Sequence, residues 1–229
     1  GVTMEVLEHD QLILQAQDLE PLPATATRLS RLVADPNSEM REIVEAISLD
    51  QALTVKLLRV ANSASSGASS EITTVDRAVI RLENSAVLSM AVAAGVRSRM
   101  LGSVPAYDIG EGRLWEHSVA AALAAESMIG LPKQSVPPES FTAALLHDVG
   151  KLVLGRFLSD QIREFLQRAR YEGGRSAIDA ESEVLNVDHA ELGGLIAQHW
   201  KLPRSICLGI QYHHHPEECS DDEGLAHVG

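Results

Sequence analysis

The stretch Asp50-Gln-Ala-Leu-Thr-Val-Lys-Leu-Leu-Arg-Val-Ala-Asn62 decides the fold class. Leu53, Leu57, Val60 and Ala61 recur at three- and four-residue spacing, which lays them on one face of a helix. Asp50 stands where a carboxylate can accept from the first free backbone amides. Upstream, Ser38, Glu39 and Glu42 precede Ile43, Ala46 and Ile47, so acids sit at the positive end of a second amphipathic helix. Pro21, Pro23 and Pro36 mark the helix boundaries around it. Helical spacing predicts further helices over residues 24–34, 75–82, 84–99, 112–129, 139–154, 160–171, 176–185, 188–200 and 204–213. No stretch sustains the period-two alternation of a strand. The expected fold is therefore all-α, a multi-helix bundle with an N-terminal and a C-terminal helical subdomain. Gly102, Pro105, Gly110 and Gly112 interrupt the helical pattern, which places the division near residue 106 and the two parts at 1–105 and 106–229. The Ser-rich residues 63–70 read as a loop of ordinary length between helices.

Composition bounds what such a chain can do. Of 229 residues, 45% are apolar and 22% charged, enough to bury a core as one large domain or two small ones. Two cysteines, Cys207 and Cys219, exclude a disulfide framework, and Cys207 in Ile206-Cys-Leu-Gly-Ile210 reads as core. The apolar run 86–96 stops at Arg97 after eleven residues, short of the roughly 20 that span a bilayer. No secretory leader pattern opens the chain. The expectation is a cytoplasmic protein with no membrane partner. With 19 basic against 32 acidic residues the formal charge is −13, which disfavours nucleic acid as a partner. Arg97, Arg99 and Arg113 offer only a small basic patch, read as a solvated face. Five acids lie in the terminal segment 217–223, read as solvated as well. Histidine is distributed far less evenly than charge, with eight of nine following residue 106.

Those histidines form an ordered series: His117, His147-Asp148, His189 and His213-His214. Imidazole nitrogen and carboxylate oxygen are ligands of divalent metals, and a helical bundle can aim them inward from several helices. Phe141-Thr-Ala-Ala-Leu-Leu-His-Asp-Val-Gly-Lys151 sets an adjacent His and Asp after an apolar run, with Gly150 relieving crowding and Lys151 one turn beyond Asp148. A charged pair buried in such a run is costly unless it binds a partner. Singly, the other histidines have plainer readings. His117 lies on an Ala-rich helix and suits a hydrogen-bonded core or surface position. His189 follows the capping residue Asp188 and would face solvent. Residues 213–215 could be three exposed imidazoles beside helix-terminal carbonyls.

In their order, Leu-Trp-Glu-His117-Ser, His147-Asp148-Val-Gly-Lys151 and Tyr212-His213-His214 resemble the HD superfamily of metal-dependent phosphohydrolases. Pro21-Leu-Pro23, the Asp50 helix running to Ser63 with Gly67, Ile72 and residues 78–82 narrow the resemblance to the HDOD family, the HD-related output domain of bacterial signalling proteins, over roughly residues 20–218. The resemblance implies an all-α regulatory domain attached to receiver, kinase or cyclic-nucleotide signalling modules, generally without demonstrated catalysis. It also implies that His117, His147, Asp148, His189, His213 and His214 match ligand positions of the related HD-GYP phosphodiesterases, which hydrolyse cyclic di-GMP at a two- or three-metal centre. Lys151 matches the lysine that assists phosphate binding there.

Three departures stand against that activity. Arg113 occupies the place of a carboxylate ligand, His215-Pro-Glu-Glu-Cys219 replaces the GYP signature, and Asp221 and Asp222 are the only aspartates after the histidine pair. The C-terminal part thus reads as ending before a final ligand. The favoured function is a non-catalytic output module that binds signalling proteins or an attached receiver or sensor domain, or a nucleotide or phosphate ligand. Its residual site would take a divalent transition metal (Fe, Mn, Zn or Ni). The alternative is a metal-dependent phosphohydrolase or cyclic-dinucleotide phosphodiesterase. Asp148 and the imidazoles would then hold the cation and Lys151 would neutralise developing charge, making Asp148 and Lys151 catalytic.

Overall fold

The structure, a computed structural model, describes residues 2–67, 69–129, 131 and 136–220. Among them there is no β-strand, only an isolated bridge between Val104 and Ile109. The fold is all-α. Its described residues group into two units, one drawn from 22–96 with 201–203 and one drawn from 2–21, 97–200 and 204–220. Residues 2–21 thus go with the later part of the chain, and the units meet in sequence at residue 97.

In the unit 22–96, helix α3 (Met40–Ser48) packs on α2 (Ala24–Ala34) and α4 (Gln51–Ala61). Asp50 caps α4 as its position predicts, accepting from Leu53 N at 2.9 Å, and Leu53, Leu57 and Ala61 are buried while Val60 remains partly exposed. The cap of α3 is Glu39, which forms a capping box with Glu42, each side chain taking the other's backbone amide. Asn62 fastens the loop that follows α4. Its Nδ2 donates to Leu58 O and Ile72 O, and its Oδ1 accepts from Ile72 N. Helix α5 (Val75–Met100) leaves helical geometry at Glu83 (φ 67, ψ 161), the break between the expected helices 75–82 and 84–99. By length and composition alone α5 could cross a membrane, yet Val79, Val87, Leu88, Val92 and Val96 are buried in the protein.

The other unit holds α1 (Val2–Gln17), α6 (Arg113–Met128), α7 (Ser140–Leu146), α8 (Lys151–Phe157), α9 (Asp160–Tyr171), α10 (Ala177–Leu185), α11 (His189–His199) and α12 (Arg204–Gln211). Helix α1 does not follow from the sequence pattern above, and its Leu12 and Ala16 are buried. It packs on α8, α10 and α11. Helix α7 packs on α6 and α12, and α12 on α11, so α7, α11 and α12 converge. Ser159, Ser176 and Asp188 cap α9, α10 and α11 through their side chains.

Candidate metal centre

The helix expected over 139–154 is two helices separated by residues 147–150. Here successive amides bond three residues back, Val149 N to Leu146 O and Lys151 N to Asp148 O, which tightens the chain. The turn lies in close tertiary contact. A Cβ on Gly150 would lie 1.9 Å from His189 O, and one on Gly193 would lie 2.7 Å from Ile210 Cγ2. Two glycines therefore let the 147–150 turn lie directly on α11 and α11 on α12. Asp148 is carried against His189 as a result.

All six expected ligand residues come together. His117 Nε2 lies 3.2 Å from His147 Nε2 and 3.6 Å from Asp148 Oδ2, and His147 Nε2 lies 3.4 Å from the same oxygen. On the other side of the carboxylate, His189 Nε2 is 3.2 Å from Asp148 Oδ1 and 3.1 Å from His214 Nε2. The His213 ring stands 5.1 Å from that of His147 and 4.1 Å from that of His214. Two triads, His117-His147-Asp148 and His189-His213-His214, each bring their ligand atoms within 4.8 Å of one another, with Asp148 between them. Ligands roughly 2.1 Å from a common ion, at tetrahedral or octahedral angles, stand about 3.0–3.4 Å apart. The observed separations are near that spacing.

Hydrogen bonding fixes which nitrogen each ring offers. The Nδ1–H of His147 donates to Ala144 O at 2.6 Å, and that of His213 to Ile210 O at 2.7 Å. His189 donates from Nδ1 to the carboxylate of Glu181 at 2.7 Å. Each ring so held turns Nε2 inward, the arrangement in which an outer acceptor orients a ligating imidazole. His213 Nε2 is buried without a hydrogen-bond partner, as a nitrogen kept for an ion would be. The donor set fits a divalent transition metal.

Electrostatics agree with the geometry. Burial by itself would raise the Asp148 carboxyl, but the hydrogen bond from His189 and the charges of His147 and Lys151 hold it well below the usual carboxylate range. Burial pushes His213 down to about 3 and also lowers His147 and His214. His189 goes the other way. Burial opposes its charge, yet its hydrogen bonds to Asp148 and Glu181 raise it to about 9, so without an ion an imidazolium bridges the two carboxylates. A cation bound there would displace that proton.

The plainer readings of individual histidines are corrected by this geometry. His189, expected to face solvent if it had no role, is 1% exposed, and His213 is buried while His214 and His215 are not. The backbone turns after Gln211 rather than continuing to 213, which swings His213 inward. Lys151 Nζ lies 2.7 Å from Asp148 Oδ2. Arg113, at the edge of the cluster, is exposed and pairs with Glu116 at 2.6 Å. Arg99 donates to Glu20 O and Pro21 O, so it belongs to packing rather than to a basic patch. Cys207 is buried as expected. Glu217 and Glu218 are exposed, while residues 221–223 lie outside the described residues.

Two residues that sequence reading missed complete the site. Glu181, 1% exposed on α10, takes the Nδ1–H of His189, and Tyr107, in the 3-10 turn Pro105–Tyr107, donates its hydroxyl to Glu181. Burial and the Glu181 charge raise the Tyr107 phenol well above its ordinary value, so it stays a donor. Glu181 lies three residues after buried Ile178 and four before buried Leu185, a carboxylate within an apolar stripe, which is a legible signal. Tyr107 carries none. A cleft of about 370 Å³ opens over the cluster, lined by Asp108, Gly110, Arg113, His117, Asp148 and Lys151.

Fold and cluster together define an all-α domain built around a His/Asp centre. The chain matches the HDOD domain over residues 19–216 and belongs to that family. An uncharacterized protein of Treponema pallidum is 27% identical over 209 residues, 88% of this chain, which spans about two fifths of that relative (39%). Among solved structures, an HDOD domain protein of unknown function from Geobacter sulfurreducens superposes with a TM-score of 0.71 at 25% identity, over 100% of this chain and 76% of that one. A candidate phosphohydrolase from Shewanella amazonensis gives 0.67 at 27% identity, over 95% and 76%.

Proposed function

We propose that this HDOD domain is a cytoplasmic signal-transduction output module that carries a divalent transition metal ion (Fe, Mn, Zn or Ni) at the His/Asp cluster, and that the centre serves binding rather than turnover. One observation carries the reading. The imidazoles of His147, His189 and His213 each commit Nδ1 to a protein acceptor, leaving Nε2 on the Asp148 side, and one of those nitrogens has no partner. The ligands would be drawn from His117, His147, Asp148, His189, His213 and His214. The absence of a carboxylate at Arg113, with Lys151 drawn onto Asp148, favours binding over a multi-ion hydrolytic centre. The partner would be an attached receiver or sensor domain or a separate signalling protein, with a nucleotide or phosphate group as the cleft's small ligand.

Elemental analysis of protein purified without chelators tests this. Bound metal is expected in the wild type and is lost in His147→Ala and Asp148→Ala. Metal-free protein from metal-sparing preparation overturns the reading. The cleft over His117, Asp148 and Lys151, together with the Shewanella likeness, supports a second reading as a phosphohydrolase. A bound cation would there polarise a phosphoryl oxygen and activate water, while Lys151 would hold the phosphate and Asp148 the ion. Hydrolysis of a cyclic dinucleotide or nucleotide, abolished by the same two substitutions, would decide for it.

A further inference from the structure

Glu181 is a buried carboxylate whose three donors come from two residues. Oε2 accepts from His189 N and His189 Nδ1, each at 2.7 Å, and Oε1 accepts from the Tyr107 hydroxyl. The Tyr107 ring in turn lies under the Lys151 ammonium at 5.3 Å and edge-on to His189 at 6.5 Å between centroids. Lys151 returns to Asp148 at 2.7 Å, and Asp148 to His189 at 3.2 Å. The contacts close a ring, Asp148 to His189 to Glu181 to Tyr107 to Lys151 and back, drawn from α10, α11, the head of α8 and two turns. An apolar side chain would fill the Glu181 position at lower desolvation cost, and every partner of the carboxylate leads to His189 or Lys151.

The geometry assigns Glu181 and Tyr107 as positioning residues that hold His189 with Nε2 toward Asp148 and so set the affinity of the centre for a divalent cation. This rests on the metal reading above, and its test separates the two. Wild type, Glu181→Gln and Tyr107→Phe are stripped of metal and titrated with Co²⁺, whose visible absorption reports ligand geometry. The His189 ring N–H is followed by NMR in the stripped proteins.

Glu181→Gln is expected to weaken Co²⁺ binding about tenfold or more, to shift the absorption bands, and to expose the His189 Nδ1–H to rapid exchange. Tyr107→Phe gives a smaller loss, and the double variant binds no worse than Glu181→Gln, because Tyr107 acts through Glu181. A purely structural defect would lower the bound fraction without moving the bands. Equal Co²⁺ affinity in wild type and Glu181→Gln overturns the proposal. If the wild type takes up no Co²⁺, the metal reading fails. A His189 signal that is protected in the wild type and lost in Glu181→Gln would then still support the positioning role, and one that persists would overturn it as well. Should Glu181→Gln not fold, Tyr107→Phe decides alone, and wild-type affinity with an unchanged His189 signal refutes the assignment.

Discussion

Gly150→Ala tests the physical origin of the centre. The new methyl would stand 1.9 Å from His189 O, 2.8 Å from His189 C and 2.9 Å from Gly193 N, all backbone atoms of α11 that no rotamer change can move aside. Real Cβ contacts do not fall below 3.0 Å, so the 147–150 turn must withdraw from α11 by about 1 Å or more. Asp148, two residues earlier in that turn, now lies 3.2 Å from His189 Nε2, and the same displacement takes it beyond hydrogen-bond reach. Overpacking of a tight contact costs about 1–3 kcal/mol, and weakening a buried charged pair adds to it. A loss of about 3 kcal/mol is expected, roughly 6–12 °C in Tm for a chain of this size. Urea unfolding followed by circular dichroism, on metal-stripped protein so that ligand linkage does not contribute, gives the number. Gly102→Ala is the control, since its Cβ would meet nothing within 4 Å, and it should stay within about 0.5 kcal/mol of wild type. Gly150→Ala protein as stable as that control would refute the close-approach argument.

Asp50→Ala should cost about 1 kcal/mol through loss of the Leu53 amide bond, with Asp50→Asn keeping most of it, as measured by denaturant midpoint. Asn62→Ala removes two hydrogen bonds to Ile72 and one to Leu58 O; faster amide exchange at Ile72 is expected, and unchanged protection would contradict the anchoring role. Metal-stripped protein should be most stable near pH 6.5. Below it the unfolded chain takes up a proton that buried His213, held at about 3, refuses. Above it the unfolded chain gives up a proton that folded His189 keeps to about 9, so that advantage of the folded state drains away as the pH approaches that value. Stability therefore falls in both directions, and His189→Gln should abolish only the alkaline fall in a pH series of unfolding curves. Lys151→Ala frees Asp148 Oδ2 and should raise the zinc content at saturation measured by elemental analysis; an unchanged stoichiometry would show that Lys151 does not limit a second ion.

Local signals were legible where local physics decides. Asp50, Ser159, Ser176 and Asp188 stand immediately before amphipathic runs and cap them as side-chain chemistry requires. The order of His117, His147, Asp148, His189, His213 and His214 likewise named residues that the fold brings together, although only His117 and His189 lie within helices and the other four sit in the turns that follow α7 and α12. What could not be read depends on contacts between distant segments. Apolar spacing continues on both sides of 147–150, and the turn there lies so close on α11 that a Gly150 Cβ would stand 1.9 Å from His189 O, a contact that no local pattern registers. His189, first in its helix after a good cap, has a solvent-facing pattern, yet it is buried beneath the 147–150 turn and hydrogen-bonded to Glu181 of α10. Helix α1 is legible only as the partner of α8, α10 and α11, which no window of eleven or so residues can register.

The cluster is not symmetric about Asp148, and the asymmetry bears on how many ions it would hold. His189, which forms one triad with His213 and His214, contacts Oδ1 at 3.2 Å, and among the described residues no other cationic side chain pairs with that oxygen; an ion there would replace the His189 proton. His117 and His147 face Oδ2, which Lys151 already holds at 2.7 Å. At an effective dielectric constant of about 20, a unit charge about 4 Å from a dication opposes it by roughly 8 kcal/mol before any rearrangement, so Lys151 must swing off the carboxylate before the outer triad can fill. The outer triad also carries the most exposed ligand, His117, whose side chain is 60% accessible. An ion would therefore enter first at the inner triad, whose geometry Glu181 and Tyr107 hold from behind. The outer triad, beside Lys151 and open to the cleft, is left as the face that an anionic ligand would meet.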